Sequence, residues 1–328
     1  MKSTYSKYVF IAAMSLLAAC SAEDTDTLGD AIHEPVVLNA SLTGAQVSSR
    51  AITNTGNTAD DENTSWGTDL EIALAFSDKN MTTSTAINDK VKKYKVQENK
   101  NPAAIEPFDA ANTHYWTSKT KTHYVCGWCT KYVYDKSKAY YNAKVPTGPN
   151  VHVNQSTWVH IDSKDFLFAP VQAIKYPTAS SPATINFYHQ KSMMEIRFLL
   201  TGTSYTFSNF TACQLANIYT NSSWEYPATG NYGTHTPNGD LATVKFFRDT
   251  EAFRAIMIPQ NIGGKTITFT STIANNEAIT FTFPEDYPLE PGKHYILTFN
   301  LSQDKVLSLK TQITNWVAAP VITGNLNL

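Results

Sequence analysis

The side chains best able to do chemistry in this 328-residue sequence are its four cysteines, Cys20, Cys126, Cys129 and Cys213. A thiol acts as a nucleophile or metal ligand only as the thiolate. Cys126-Gly127-Trp128-Cys129 has the spacing of a redox pair or of half a zinc site, and His123 lies just upstream. A zinc site needs a second pair at ligand spacing, and a redox motif needs a βαβ setting. The sequence supplies neither, so buried strand cysteines are favoured over a disulfide or a metal. Three cysteines beyond Cys20 cannot all pair within the chain, which excludes a disulfide framework. Glu285 and Asp286 are adjacent carboxylates, but Pro284 and Pro288 place them in a solvated turn. Ile262-Gly263-Gly264-Lys265 lacks the Walker spacing and reads as a turn. His189 and Lys191 are most simply the polar face of a strand. Trp116, Trp128, Trp158, Trp224 and Tyr226 could stack on sugar rings, though core packing is the commoner use of such side chains. No Gly-x-Ser-x-Gly or His-Glu-x-x-His occurs. No catalytic residue, metal ligand or cofactor is assigned, and the expectation is a protein that is not an enzyme.

Cys20 stands apart because of what precedes it. Lys2 and Lys7 give a positive start, Tyr8 to Ala19 is a short apolar run, and Leu17-Ala18-Ala19 leads into the cysteine. That is the layout of a secretory signal, too short for the roughly 20 residues of a spanning helix. Leu17-Ala18-Ala19-Cys20 resembles the lipobox of bacterial lipoproteins, in which the cysteine is diacylated and becomes the new N-terminus. Residues 1–19 are then the signal peptide and Cys20 the lipid attachment site. A chain so acylated is anchored to a bilayer while its body stays in water. Glu23, Asp24 and Asp26 follow in a polar tether, resembling a signal for export to the outer face of the outer membrane.

The remaining roughly 300 residues exceed one ordinary core, so two domains are the natural expectation. Lys and Arg number 26 against 28 Asp and Glu, with no dense basic face. That argues against a nucleic-acid partner. Abundant Tyr, Phe, Thr and Asn favour strands and turns.

Periodicity then places the elements. Val36, Leu38, Ala40 and Leu42 alternate with Val37, Asn39 and Ser41, and period two over this length predicts a strand. A polar stretch, 44–64, follows as an exposed loop, and Arg50 in it is the first Lys or Arg after Lys7. Such a loop arginine is open to a trypsin-like protease. Further strands are expected at Leu70–Phe76, Lys93–Val96, His123–Thr130, Phe166–Ala169 and Ile185–His189. Others follow from Met194 to Leu200 and onward to Ile313 at regular spacing. Tyr176-Pro177 to Pro182 looks like a linker. The fold class is all-β, as two β-sandwiches divided near residue 180.

Several ordered stretches together resemble the fimbrillins, the type V pilins of Bacteroidales-type bacteria. They are Arg50 followed by Trp66-Gly67-Thr68-Asp69; Asp165-Phe166-Leu167-Phe168-Ala169; Phe187-Tyr188-His189-Gln190-Lys191 leading into Glu195-Ile196-Arg197-Phe198; Ala255 to Gln260; Pro291-Gly292-Lys293-His294-Tyr295; and Ile313-Thr314-Asn315-Trp316. The resemblance implies two transthyretin-like β-sandwich domains, at 51–180 and 181–328. It also implies a structural, tip or accessory role in surface fimbriae and in adhesion. Residues 20–50 become a tether and removable first strand, cut by an arginine-specific protease between Arg50 and Ala51. The groove so opened receives a strand from another fimbrial subunit. Ile322, Leu326 and Leu328 share one face of the terminal segment and are the candidate donor, although the segment could equally be the last strand of its own domain. The alternative expectation is a monomeric surface lipoprotein that binds glycans or host ligands.

Overall fold

The computed structural model describes residues 32–42, 70–88, 90–98, 100–129, 144–157, 160–161, 164–177, 182–200, 205–272, 278–301, 307–315 and 322–324. Cys20, Arg50, Ala51, Trp158, Leu326 and Leu328 lie outside them. The described residues are almost entirely β. The first unit contains β1 (Glu34–Pro35), β2 (Leu38–Leu42), β3 (Glu71–Ser77), β4 (Val91–Val96), β5 (Ala103–Pro107), β6 (Tyr115–Trp116), β7 (His123–Cys129), β8 (Leu167–Ile174) and β9 (Ala183–His189). Seven of these close into a ring in the order β2-β5-β4-β3-β7-β8-β9, while β1 and β6 form a separate two-stranded ribbon.

The second unit follows with β10 (Ser192–Leu200), β11 (Phe210–Glu225), β12 (Thr234–Lys245), β13 (Phe247–Arg248), β14 (Phe253–Met257), β15 (Thr266–Ser271), β16 (Ala278–Thr282), β17 (Lys293–Leu301), β18 (Leu307–Asn315) and β19 (Ile322–Gly324). They make two sheets, β13-β14-β10-β17-β18-β19 and β12-β11-β15-β16. The inward faces meet over one core that includes Ile196, Phe210, Leu215, Phe253, Phe269, Tyr295, Leu297 and Phe299. Strand alternation produces this directly. In β17, for example, Tyr295, Leu297 and Phe299 share a face because successive side chains point to opposite sides.

The pairings run straight through the expected linker. β9 lies beyond residues 176–182 yet pairs with β8 and β2 in the first ring. The change of sheet therefore falls at Gln190–Lys191, not near 180. Pro177 and Pro182 interrupt the chain between two strands of one unit, which the same local chemistry serves equally well.

Trp224 joins the two units. β11 is 16 residues long, and its end carries Trp224 out of its own sheet's core. The indole packs against Phe166 and Phe168 at ring distances of 4.9 and 5.1 Å, in a cluster with Ala73, Ala75, Cys126 and Trp128. β3 is consequently buried on both faces: Ile72 and Leu74 fill the ring, and Ala73 and Ala75 lie under this second layer. Small residues at 73 and 75 leave room for the large rings. Truncating a buried aromatic typically costs about 3–5 kcal/mol. Trp224→Ala is expected to lower stability by about that amount in urea titrations. It should also expose the junction to limited proteolysis, whereas an exposed control such as Thr229→Ala should do neither.

Candidate functional site

β2 closes the ring. It lies between β5, to which it is antiparallel, and β9, to which it is parallel. The register sets Leu38 opposite Ile105 on one side and Ala183 on the other, and runs to Leu42 opposite Phe187. Val36, Leu38, Ala40 and Leu42 are buried, while Asn39 and Ser41 are partly exposed. These four side chains belong to the core with Ile72, Leu74, Tyr94, Val96, Ile105, Ile185 and Phe187. Burying a Val or Leu side chain stabilises by roughly 2 kcal/mol, so Val36, Leu38 and Leu42 together contribute on the order of 6 kcal/mol as an upper estimate. That is comparable with the whole net stability of a typical domain, about 5–15 kcal/mol. A groove without β2 would be an open apolar slot with two unpaired backbone edges.

Both ends of β2 are held. The Asn101 side chain copies a ladder step at Leu42: its Oδ1 accepts from the Leu42 N–H at 2.9 Å and its Nδ2 donates to the Leu42 carbonyl at 2.9 Å. At the other end, the Val36 N–H donates to the His114 carbonyl at 2.8 Å, and the β1–β6 ribbon follows. His114 Nε2 and His123 Nδ1 sit 3.0 Å apart, so one ring donates and the other accepts. Phe76 stacks on His114 at 4.1 Å. Burial pushes the His114 pKa down to about 4, helped by the charges of His123, Lys92 and Lys90. Burial also lowers His123, with Asp78 opposing. Sequence patterning missed Asn101 and this histidine pair, since neither residue type at these spacings has a local signature.

A second polar arrangement sits where the chain passes between units. His189 Nδ1 is 3.0 Å from Asp165 Oδ1. The Lys191 amine donates to the Asn150 carbonyl at 2.7 Å and to the Lys164 carbonyl. Burial pulls the Lys191 pKa down to about 7 while Asp165 opposes the shift. Gln190 donates to the Tyr188 and Asn231 carbonyls and accepts from the Gly233 N–H. His189 and Lys191 are each about 2% exposed. They are therefore not a solvated strand face; they are interior anchors between the two units. Glu195 is buried too, against Arg197 and Arg254 at 2.5 and 3.1 Å and near His294. Burial works to raise its pKa, but the His294 hydrogen bond and charge, with both arginines, hold it well below the carboxylate range.

The remaining sequence candidates do not converge. Neither Cys126 nor Cys129 is in a disulfide, and three positions apart on a strand they face opposite sides. Cys126 lies in the layer with Trp128, and Cys129 lies inside the ring. Burial lifts the Cys126 thiol to about 12, which silences it as a nucleophile. Cys213 is in no disulfide either and is buried in the second core. Trp116, Trp128 and Trp224 are buried. Tyr226 is half-buried and donates to the Met81 carbonyl at 3.0 Å. Glu285 and Asp286 lie in an exposed loop, where Asp286 accepts from Asn261 at 3.0 Å. Ile322 pairs with Ile313 in β19, the outer strand of its own sheet. No group of three or more His, Cys, Asp or Glu that could hold a metal occurs among the described residues.

The architecture defines a class: an all-β protein of two packed units whose first unit is completed by a strand at the start of its described chain. The chain belongs to the fimbrillin-like family, whose model matches residues 49–316. Among solved structures, a candidate cell adhesion protein from Bacteroides uniformis superposes with a TM-score of 0.58 at 16% identity, covering 90% of this chain and 100% of that one. One from Bacteroides ovatus gives 0.58 at 16% identity, covering 88% and 100%. The tip fimbrial protein Mfa3 from Porphyromonas gingivalis, with a C-terminal truncation, gives 0.47 at 9% identity, covering 87% and 100%. Comparison with curated proteins yields no match. The family supports a fimbrial subunit, a surface location and assembly with other fimbrial subunits.

Two outcomes are expected. Leu38→Ala should lower stability by about 2–5 kcal/mol in urea titrations, as for other buried leucines. Acid should also loosen the end of β2. The histidines are held neutral in the fold with pKa values below the ordinary 6.5, so the unfolded chain binds more protons as pH falls. Their contribution is complete above pH 6.5 and declines toward about pH 4. The protection factor of the Val36 amide, measured against the slower intrinsic exchange in acid, should fall across that window, and His114→Phe should flatten the response at that amide even though His235 titrates similarly elsewhere.

Proposed function

We propose that this chain is a fimbrial subunit that is delivered as a lipoprotein and assembled by strand exchange. The observation that carries the reading is the position of β2: one strand fills an apolar slot and hydrogen-bonds to both β5 and β9. Such a strand can be replaced by another of matching alternation, with backbone bonds giving affinity and side-chain pockets giving register. Arg50-Ala51 follows β2 closely in sequence, and the family match begins at residue 49. Cleavage there by an arginine-specific protease separates β2 and the lipid on Cys20 from everything that follows. The lipid brings the chain to the outer membrane, and the cut releases it to the fimbrium. Until then β2 protects the slot from non-specific pairing.

The donor is the C-terminal segment bearing Ile322, Leu326 and Leu328. β19 supports this assignment, being three residues long, outermost in its sheet and paired on one side only. In this scheme the released chain begins at Ala51, with β9 in its first unit and β10 opening its second.

The test uses the chain 51–328, which lacks β2. It should be markedly less stable than the chain with β2 and should regain stability on adding a peptide of residues 34–42. It should also form multimers that residues 320–328 are needed to build. Equal stability with and without β2, together with no binding of the 34–42 peptide, would sink the proposal. N-terminal sequencing of protein taken from the native cell surface checks the processing: a start at Ala51 supports it, and a start at Cys20 opposes it.

A further inference from the structure

We infer that the cleft between the two units is a binding site for a neutral saccharide. The cleft has a volume of about 370 Å³, within the roughly 300–1,000 Å³ of small-ligand sites. Four separate stretches line it: residues 80–82 after β3, 170–172 in β8, 186 and 188 in β9, and 226–231 between β11 and β12. Among these lining residues there is no Asp, Glu, Lys, Arg or His. An ionic ligand would find no countercharge, and burying its charge here would be unfavourable. The lining instead offers amides, hydroxyls and two tyrosine rings. Among the described residues, the side-chain amides of Asn80, Asn186 and Asn231 have no hydrogen-bond partner within the chain. Each amide brings both a donor and an acceptor. Tyr188 and Tyr226 add flat apolar surface with a polar tip. A ligand that matches is uncharged, dense in hydroxyl groups and carries C–H faces, which describes a sugar chain.

The cleft is held in shape before any ligand arrives. Tyr226 fastens the second unit to the Met81 carbonyl of the first at 3.0 Å. Gln172 grips the backbone of Asn186 from both sides, donating to its carbonyl at 3.3 Å and accepting from its N–H at 3.1 Å. Gln190 holds the Asn231 carbonyl at 3.0 Å, and Tyr188 meets Tyr232 edge to face at 5.9 Å. Little ordering is left to oppose binding. An extended peptide fits less well. β8 and β9 pair directly only at Leu167–His189 and Phe168–Tyr188, and beyond those pairs the Gln172 side chain already occupies the backbone N–H and carbonyl of Asn186.

This site deepens the adhesion part of the function and rests on it for its biological use. It does not depend on strand exchange. The experiment is saturation-transfer NMR on the purified full-length protein with maltotriose, mannotriose and lacto-N-tetraose, and with sialyllactose as the charged comparison. At least one neutral saccharide should receive transfer and sialyllactose should not exceed it. Tyr188→Ala should weaken binding by about tenfold, the value of an aromatic contact of roughly 1.4 kcal/mol. Asn231→Ala, at an exposed position, should weaken it several-fold without altering the urea midpoint. Tyr226→Phe keeps the ring and should retain more binding than Tyr188→Ala. No transfer from any neutral saccharide at about 10 mM, a weaker response than millimolar affinity predicts, would overturn the inference. Unchanged binding in both Tyr188→Ala and Asn231→Ala, or a preference for sialyllactose, would do so as well. A chain that polymerises yet binds no saccharide removes only this site, and one that binds yet never polymerises removes only the assembly scheme.

Discussion

The first unit depends on a single strand making two sets of backbone bonds at once. β5 and β9 are brought into one ring only because β2 lies between them, antiparallel to one and parallel to the other. A parallel neighbour cannot be joined by a tight hairpin, so β2 and β9 must come from distant parts of the chain. Leu38 and Ile185 reach the same core although most of the unit separates them in sequence. That arrangement concentrates both the stabilisation and the vulnerability of the unit in one short segment. Asn101 and the His114–His123 pair close its two ends by different means, an amide that copies the ladder and a histidine contact sensitive to acid.

The second constraint is polar. Between β9 and β10 the chain leaves the ring and enters the sandwich, and there it buries His189, Gln190 and Lys191. Buried polar groups of this kind are tolerated only when partnered. Asp165, the carbonyls of Asn150, Lys164 and Asn231, and the N–H of Gly233 supply those partners. Together with Trp224 they set one unit against the other. The neutral cleft is a consequence of that setting, because its walls belong to both units and Tyr226 ties them together.

Strands were legible wherever one face is buried and the other wet. Tyr94 and Val96 against Lys93 and Lys95 gave an unambiguous period, and the structure buries the first pair. The alternation from Val36 to Leu42 was equally clear. Parity along a strand also dissolves the apparent metal spacing of Cys126 and Cys129, since positions three apart face opposite ways. Legibility failed where burial comes from another unit. His189 and Lys191 looked like a solvated face because nothing local announces that the sandwich covers them. The prolines between 176 and 182 looked like a boundary because a turn within a unit and a link between units use the same residues.

The sequence by itself determined the all-β class, the faces of most strands, the family resemblance and the candidate route marked by Cys20 and Arg50. Those follow from composition, period two and short ordered motifs, which are local. Only the tertiary structure decided that β2 completes a ring, that the units change hands at Gln190–Lys191, and that an uncharged cleft opens between them. Each of these depends on segments far apart in the chain meeting across a core or a junction, and hydrophobic periodicity carries no record of which distant partner a strand will find.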